Sequence, residues 1–441
     1  MATNSATTNA KAVDGVAAGA GTQNYTRPLA IVTTLFFMWG FLTCLNDILV
    51  PHLKSIFDLS YAKVMLVQFA FFSAYFLFSL PWAKVVNWIG YKRTMVVGLV
   101  TMAFAAFLFV PAASAASYPL FLTALLILAA GITGLQVSAN PYVVVLGKPE
   151  TASSRLDWTQ AFNSLGTAIA PKIGGLLILV GAPLAADEMS KLSAQALHAY
   201  RVQEAASVKM PYATIGVALL LLAVLIGMSK LPKIEECSHH LGGKVYDSIW
   251  HHPSLVLGAI GIFTYVGAEV SIGSFLVNYF GAPEIANLPA KTAAGFVSFY
   301  WAGAMVGRFI GAGLLRRVKP GLLLALCAIA AGLLVAISML TGGRVAMWSI
   351  LAVGLFNSIM FPTIFSLGVA ELGPLTGDGS GVLNMAIVGG AVLPVIQGVI
   401  ADHVGIHHAF ILPIICYMYI VYYGLSGSKP NSLRHAGVQN A

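Results

Sequence analysis

Twelve times along the chain, an apolar run gives way to a short polar break. The runs lie near 28–50, 62–86, 93–113, 118–146, 157–180, 210–230, 253–280, 292–315, 320–341, 345–370, 379–402 and 405–426. A helix of about 20 apolar residues crosses a ~30 Å hydrocarbon layer. The pattern therefore predicts an all-α membrane protein with twelve transmembrane helices, and it leaves little chain for a separate soluble catalytic domain.

A polar stretch, KLPKIEECSHHLGGKVYDSIWHH at 230–252, divides the runs six and six. The expected organisation is a disordered tail over 1–26, a six-helix bundle over 27–230, a linker over 231–252, a second six-helix bundle over 253–426 and a tail over 427–441. The first stretch is rich in Ala, Thr, Asn and Gly and carries no apolar h-region, so it reads as a tail rather than a signal peptide.

The two sets of runs echo each other. LQVSANPYVVVLG places Gln136, Pro141 and Gly147 at the same offsets, five and six, that FNSIMFPTIFSLG gives Asn357, Pro362 and Gly368. FNSLGTAIAPKIGG and MAIVGGAVLPVIQG repeat offsets of five and four through Gly166, Pro171, Gly175 and Gly389, Pro394, Gly398. Duplicated six-span halves predict two bundles with a site between them near the membrane midplane. Tight helix packing alone would also use such glycines.

Composition sharpens this picture. Hydrophobic residues make up 58% of the chain and charged ones 9%, against roughly 25% charged in an ordinary soluble domain. The net charge of +8 would suggest a nucleic-acid partner, but its distribution does not. With the N-terminus inside, 16 of the 24 Lys and Arg fall in inner segments and 7 in outer ones. That excess predicts both termini in the cytoplasm and no nucleic-acid partner. The four cysteines show no ligand spacing, so neither a metal site nor a disulfide framework is expected.

Within this apolar chain, a few polar residues stand out. FFMWGFLTCLNDILVPHL sets Asn46 and Asp47 inside the first run. A mid-span carboxylate costs about 2.5–3.5 kcal/mol on insertion scales and usually faces a cavity or a partner. Burial penalises its charged form, which suits a group that loads an ion on one side and releases it on the other; pinning a neighbouring helix is the structural alternative. Gln136 and Asn140 share one helix face, as do Gln160, Asn163 and Thr167, while Asn357 and Asn384 lie in later runs. Amides donate and accept without net charge, which fits a neutral polyhydroxylated solute; interhelical bonding would use them equally. Glu269 and Lys172 are further intramembrane charges, the first a second coupling group, a sugar acceptor or a partner for a lysine, the second without an assignable role. Trp39, Tyr300 and Trp301 offer ring faces to a sugar or to packing.

These stretches, with YVGAEVSIGSFLVNY, GAMVGRFIG and AIVGGAVLP, give the chain its resemblance. It resembles the fucose/galactose/glucose:proton symporter branch of the major facilitator superfamily, particularly the bacterial glucose/galactose transporters. The resemblance implies the major facilitator fold in the bacterial inner membrane, importing glucose or galactose by alternating access, with no cofactor beyond a coupling ion. In the fucose member, the Asp of the LND motif and a Glu in the fourth span handle proton and sugar. Asp47 matches the first; Gln136 stands at the second and cannot titrate, as in the glucose/galactose members. Gln160 and Asn163, in QAFN, match positions facing the sugar. Proton coupling is thus expected through Asp47, with Glu269 as the companion, and the expected partners are a hexose and membrane lipid around a monomer.

Other readings stay open on the residues. The same fold could carry fucose or another hexose, and Asp47 with Asn46 and Thr43 offers oxygen ligands to sodium. A sugar sensor without transport is the rival of a different class. An enzyme is not expected, since no span carries a GxSxG or HExxH motif.

Overall fold

A computed structural model describes residues 25–57, 61–115, 117–178, 208–232 and 248–429, with short pieces at 192–193, 195–196, 199–200 and 202–203. The side chains of 44–57, 61–68, 171–178 and 290–291 lie outside the described part. So do residues 1–24, 233–247 and 430–441, which hold most of the expected tails and linker.

The apolar runs are helices. In the first half these are α1 (Thr26–Phe57), α2 (Tyr61–Ile89), α3 (Tyr91–Ser114), α4 (Tyr118–Val145), α5 (Ala152–Ile178) and α6 (Lys209–Met228). The second half begins with α7 (Pro253–Gly281), α8 (Ala290–Leu314) and α9 (Pro320–Leu340). Two later crossings are broken: α10 (Gly343–Asn357) with α11 (Met360–Gly368), and α12 (Thr376–Met385) with α13 (Gly389–Val404). The last crossing contains α14 (Ile411–Tyr422) and closes with a π-helical turn, Tyr423–Gly427. Eleven stretches among the described residues are long and apolar enough to cross a membrane. α5 is the twelfth crossing, its first turns carrying Ser153, Ser154, Arg155 and Asp157. This is a multi-pass membrane protein, and leucines such as Leu221, Leu225, Leu326 and Leu333 stand exposed on α6 and α9, where lipid replaces water.

The breaks have local causes. Proline lacks an N–H, so the carbonyl four residues earlier loses its helical donor. Pro362 frees the carbonyl of Ser358, at the joint between α10 and α11. A 3-10 turn at Ala386–Val388 separates α12 from α13, so the tenth and eleventh runs, each expected as one helix, are each two.

Small residues set the close packing. Gly40 of α1 lies against the backbone of Asn163, and Gly166 of α5 against the carbonyl of Phe37; a Cβ at either position would collide. Gly303, Gly307 and Gly311 form a one-turn-spaced stripe on α8 that meets the joint between α10 and α11.

The halves meet along α2 with α12 and α5 with α8. Bonds cross this seam on the side where α1 begins and α14 ends, here termed the terminal face. Asn87 Nδ2 donates to Asp378 Oδ1 at 2.8 Å, the Ser153 and Ser366 hydroxyls pair at 2.7 Å, and Ser154 donates to the Ala312 carbonyl at 2.6 Å. Deeper, Ser380 donates to the Val137 carbonyl at 3.0 Å. Trp158 of α5 and Phe309 of α8 pack edge to face, centroids 5.6 Å apart. The bundles are sealed together from the terminal face to about mid-depth.

Candidate functional site

Above that seal, the polar residues of both halves gather near mid-depth. In the first half, Gln136 of α4 donates through Nε2 to the Tyr75 hydroxyl of α2 at 2.7 Å. Asn140, a turn further along α4, faces Gln160 of α5, whose Nε2 lies 3.5 Å from Asn140 Oδ1. Asn163 donates to the Phe36 carbonyl of α1 at 3.0 Å, where Gly40 allows the close approach. Arg155 positions the start of α5 by donating to the last carbonyls of α4, Val143 at 3.2 Å and Val144 at 2.8 Å.

The second half contributes a ring of tyrosines around two of the expected residues. Tyr265 donates to Glu269 Oε1 at 2.7 Å along α7. Asn357 donates to the Tyr300 hydroxyl and accepts from Tyr417, both at 2.8 Å. It is fully buried, with both ends of its amide engaged. Asn384 on α12 donates to the Ser380 carbonyl at 2.8 Å, while its Oδ1 has no hydrogen-bond partner.

The amides therefore differ in what they have left to offer. Asn140 Nδ2 and Asn384 Oδ1 are buried without partners, one a donor from the first half and one an acceptor from the second. A buried polar group left unpaired costs about 1–3 kcal/mol, which a hydroxyl-bearing ligand or water would relieve. Gln136, Gln160 and Asn163 keep a small exposure. By contrast, a cavity of about 620 Å³ between α1, α5 and α6 is lined by Leu29, Phe37, Phe162 and Leu225 and touches none of these amides.

Other expected residues lie elsewhere. Asn46 and Asp47 belong to α1, but their side chains, and that of Lys172, are outside the described residues. Thr43 donates to the Trp39 carbonyl at 2.9 Å. Trp39 is buried, and Trp301 is half exposed.

Sequence reasoning passed over Tyr75, Tyr265, Tyr417, Asp157 and Arg308. Tyrosines count as apolar in a hydropathy pattern although their hydroxyls reach the site amides. Arg308 lies inside α8. Its Nε donates to the Ser358 carbonyl at 3.2 Å, the one Pro362 frees, and its Nη1 reaches the Gln160 carbonyl at 3.5 Å and the Ser164 hydroxyl. A cation of the second half is thus held by α5 of the first. Its charge also acts on Glu269 and on Asp157.

Known proteins share this architecture. The Major Facilitator Superfamily profile matches residues 30–393. The glucose/galactose transporter of Brucella abortus is 54% identical over 407 residues, covering 92% of this chain and 95% of that protein. The L-fucose-proton symporter of Escherichia coli is 36% identical over 412 residues, covering 90% and 92%. A crystal structure of the transporter FucP, in the outward conformation, matches with a TM-score of 0.86 at 34% identity, covering 92% of this chain and all of that one. With a helical architecture of two sealed bundles and a mid-depth polar site, the chain belongs to the major facilitator superfamily, in the branch that holds these sugar transporters.

Proposed function

We propose that this protein imports glucose and galactose across the bacterial inner membrane by alternating access, coupled to protons through Asp47 with Glu269 as companion. The observation that carries the reading is the set of neutral amides from both halves, with Asn140 Nδ2 and Asn384 Oδ1 still unpaired, in a chain 54% identical to a glucose/galactose transporter. Unpaired donors and acceptors suit ring hydroxyls, and the lack of net charge among the amides suits a neutral sugar. The buried tyrosines hold Asn357 and Glu269 in place beneath it.

The excess of inner Lys and Arg supports assigning the terminal face to the cytoplasm. The arrangement sealed at that face is then the outward-facing one. A proton on Asp47 and a hexose among the amides remove the cost of burying charge and unpaired groups, so the bundles rock and part at the cytoplasmic end. The carrier works as a monomer within lipid, each copy holding both halves of its site.

The test is uptake of labelled glucose and galactose into proteoliposomes under imposed proton or sodium gradients, with unlabelled competitors including fucose. Accumulation driven by an inward proton gradient and blocked by glucose and galactose is the expected result. Accumulation driven by sodium alone overturns the coupling, and fucose as the preferred competitor overturns the substrate. The absence of labelled counterflow would leave a sensor rather than a carrier.

A further inference from the structure

Asp157 lies on α5, one turn toward the cytoplasmic face from Gln160, on the seam between the bundles. It is fully buried, and neither carboxylate oxygen has a hydrogen-bond partner. Across the seam it faces Gly311 of α8 so closely that a Cβ there would lie 2.8 Å from Oδ2. The charged and titratable groups in electrostatic contact with it, among the described residues, are Arg308 from α8 and Cys327 from α9. The neighbouring seam residues Ala312 and Ser366 carry no charge.

Arg308 stands one turn from Gly311, yet its guanidinium is committed elsewhere: to the Ser164 hydroxyl, the Gln160 carbonyl and the Ser358 carbonyl. The arrangement therefore has a cation from one half and an acid from the other, adjacent but not joined. A buried charge without a partner is costly, and one in water is not. Parting α5 from α8 wets Asp157; sealing them dries it.

We propose that Asp157 is the acid that releases the coupled proton at the inner gate, with Arg308 as the cation that moves between Ser164 and the Asp157 carboxylate. This rests on the proton-coupled reading above and adds a third acid to Asp47 and Glu269, in a chain whose fourth span offers Gln136 instead. The proton is taken up from outer water, held on the Asp157 carboxylate and given up to inner water, and no other bond changes. With Asp157 neutral, Arg308 bonds to Ser164 and Gln160, the arrangement seen here. Once the seam opens inward, the proton leaves to cytoplasmic water. The charged Asp157 then draws Arg308 onto itself, and that pair lets the empty carrier close again. Proton occupancy and gate position bias each other reciprocally, as linkage requires.

The test compares wild type, Asp157→Asn and Asp157→Glu in proteoliposomes, using labelled glucose or galactose. Three quantities are read: counterflow without an ion gradient, accumulation under an inward proton gradient, and the pH dependence of counterflow. Asp157→Asn should retain counterflow with a flattened pH profile, while accumulation falls from about fifty-fold per 100 mV of driving force to about one. Asp157→Glu should accumulate, with its pH profile displaced. An Asn variant that accumulates like wild type overturns the inference and leaves proton coupling standing. If the Asn variant fails to fold, a Glu variant with the wild-type pH profile overturns it equally. Wild type driven by sodium and not by protons overturns the coupling itself, and the inference with it.

Discussion

The hydroxyl of Ser380 donates to the carbonyl of Val137 at 3.0 Å, joining α12 of one bundle to α4 of the other. That carbonyl lacks a helical donor because Pro141, four residues on, has no N–H. The related proline of the second half, Pro362, frees the Ser358 carbonyl, and Arg308 takes it at 3.2 Å. One proline pattern, repeated in both halves, thus exposes one acceptor to the seam and another to the cation beside it.

Ser380→Ala should weaken the seal. The sealed state would then hold a buried carbonyl without a partner, whereas the open state could offer it water. A neutral buried hydrogen bond contributes about 1 kcal/mol, so the equilibrium should move about fivefold toward opening at the terminal face. Labelling of a cysteine introduced on the terminal side of the seam, by an impermeant thiol reagent, reports this shift. Unchanged labelling would mean that Ser380 does not contribute to the seal.

Gln136→Glu would place an acid against the Tyr75 hydroxyl, which now accepts from the amide at 2.7 Å. In the charged form the bond must reverse, with Tyr75 donating, and a new buried charge appears at mid-depth. Sugar affinity in this variant should therefore weaken as pH rises through the titration of the new carboxyl. Counterflow KM measured across pH, beside wild type and Gln136→Asn, checks the expectation. A KM curve parallel to wild type would place residue 136 away from the sugar.

Asn357 and Asn384 look alike in the sequence but are wired differently. Asn357 is held at both ends by Tyr300 and Tyr417, so Asn357→Ala orphans two buried hydroxyls. It should cost about 2–3 kcal/mol of stability and lower the Tm in detergent. Asn384 keeps Oδ1 unpaired, so Asn384→Ala should lower the Tm less and raise KM about tenfold instead. Thermal melts with and without sugar separate the two; a larger loss of Tm at Asn384 would reverse the assignment.

Hydropathy carried the helices, because a crossing must satisfy its backbone internally and present apolar side chains to lipid. The same physics hid the seam. When lipid and protein interior are both apolar, a helix shows no polar stripe to mark its buried face, and nothing in the pattern says that Ser153 faces Ser366 or that Gly311 faces Asp157. Asp157 and Arg308 sit near helix ends, where a charge reads as a loop residue, although each lies within its helix and at the seam. Pro362 accounts for the joint between α10 and α11, but the unbroken apolar pattern of 345–370 reads as one helix. The 3-10 turn at Ala386–Val388 runs straight into Gly389 and Gly390, but glycines are also common in the tight packing of membrane helices, so the pair alone does not mark a break.

Asp47→Asn bears on coupling directly. Asparagine keeps the size and polarity of the side chain but cannot take up or release a proton, so the variant is locked in the neutral condition. If neutralising this residue is what permits the bundles to rock, exchange of bound sugar should continue, because the substituted carrier can always make the inward transition. Return of the empty carrier should be unlinked from the proton gradient, since nothing at that position distinguishes the two sides. Under an imposed proton gradient, wild type should concentrate sugar about fifty-fold per 100 mV, and the variant should only equilibrate it. The measurement is internal sugar at steady state beside the counterflow rate in the same vesicles. A variant that still concentrates sugar as wild type does would remove Asp47 from the coupling scheme.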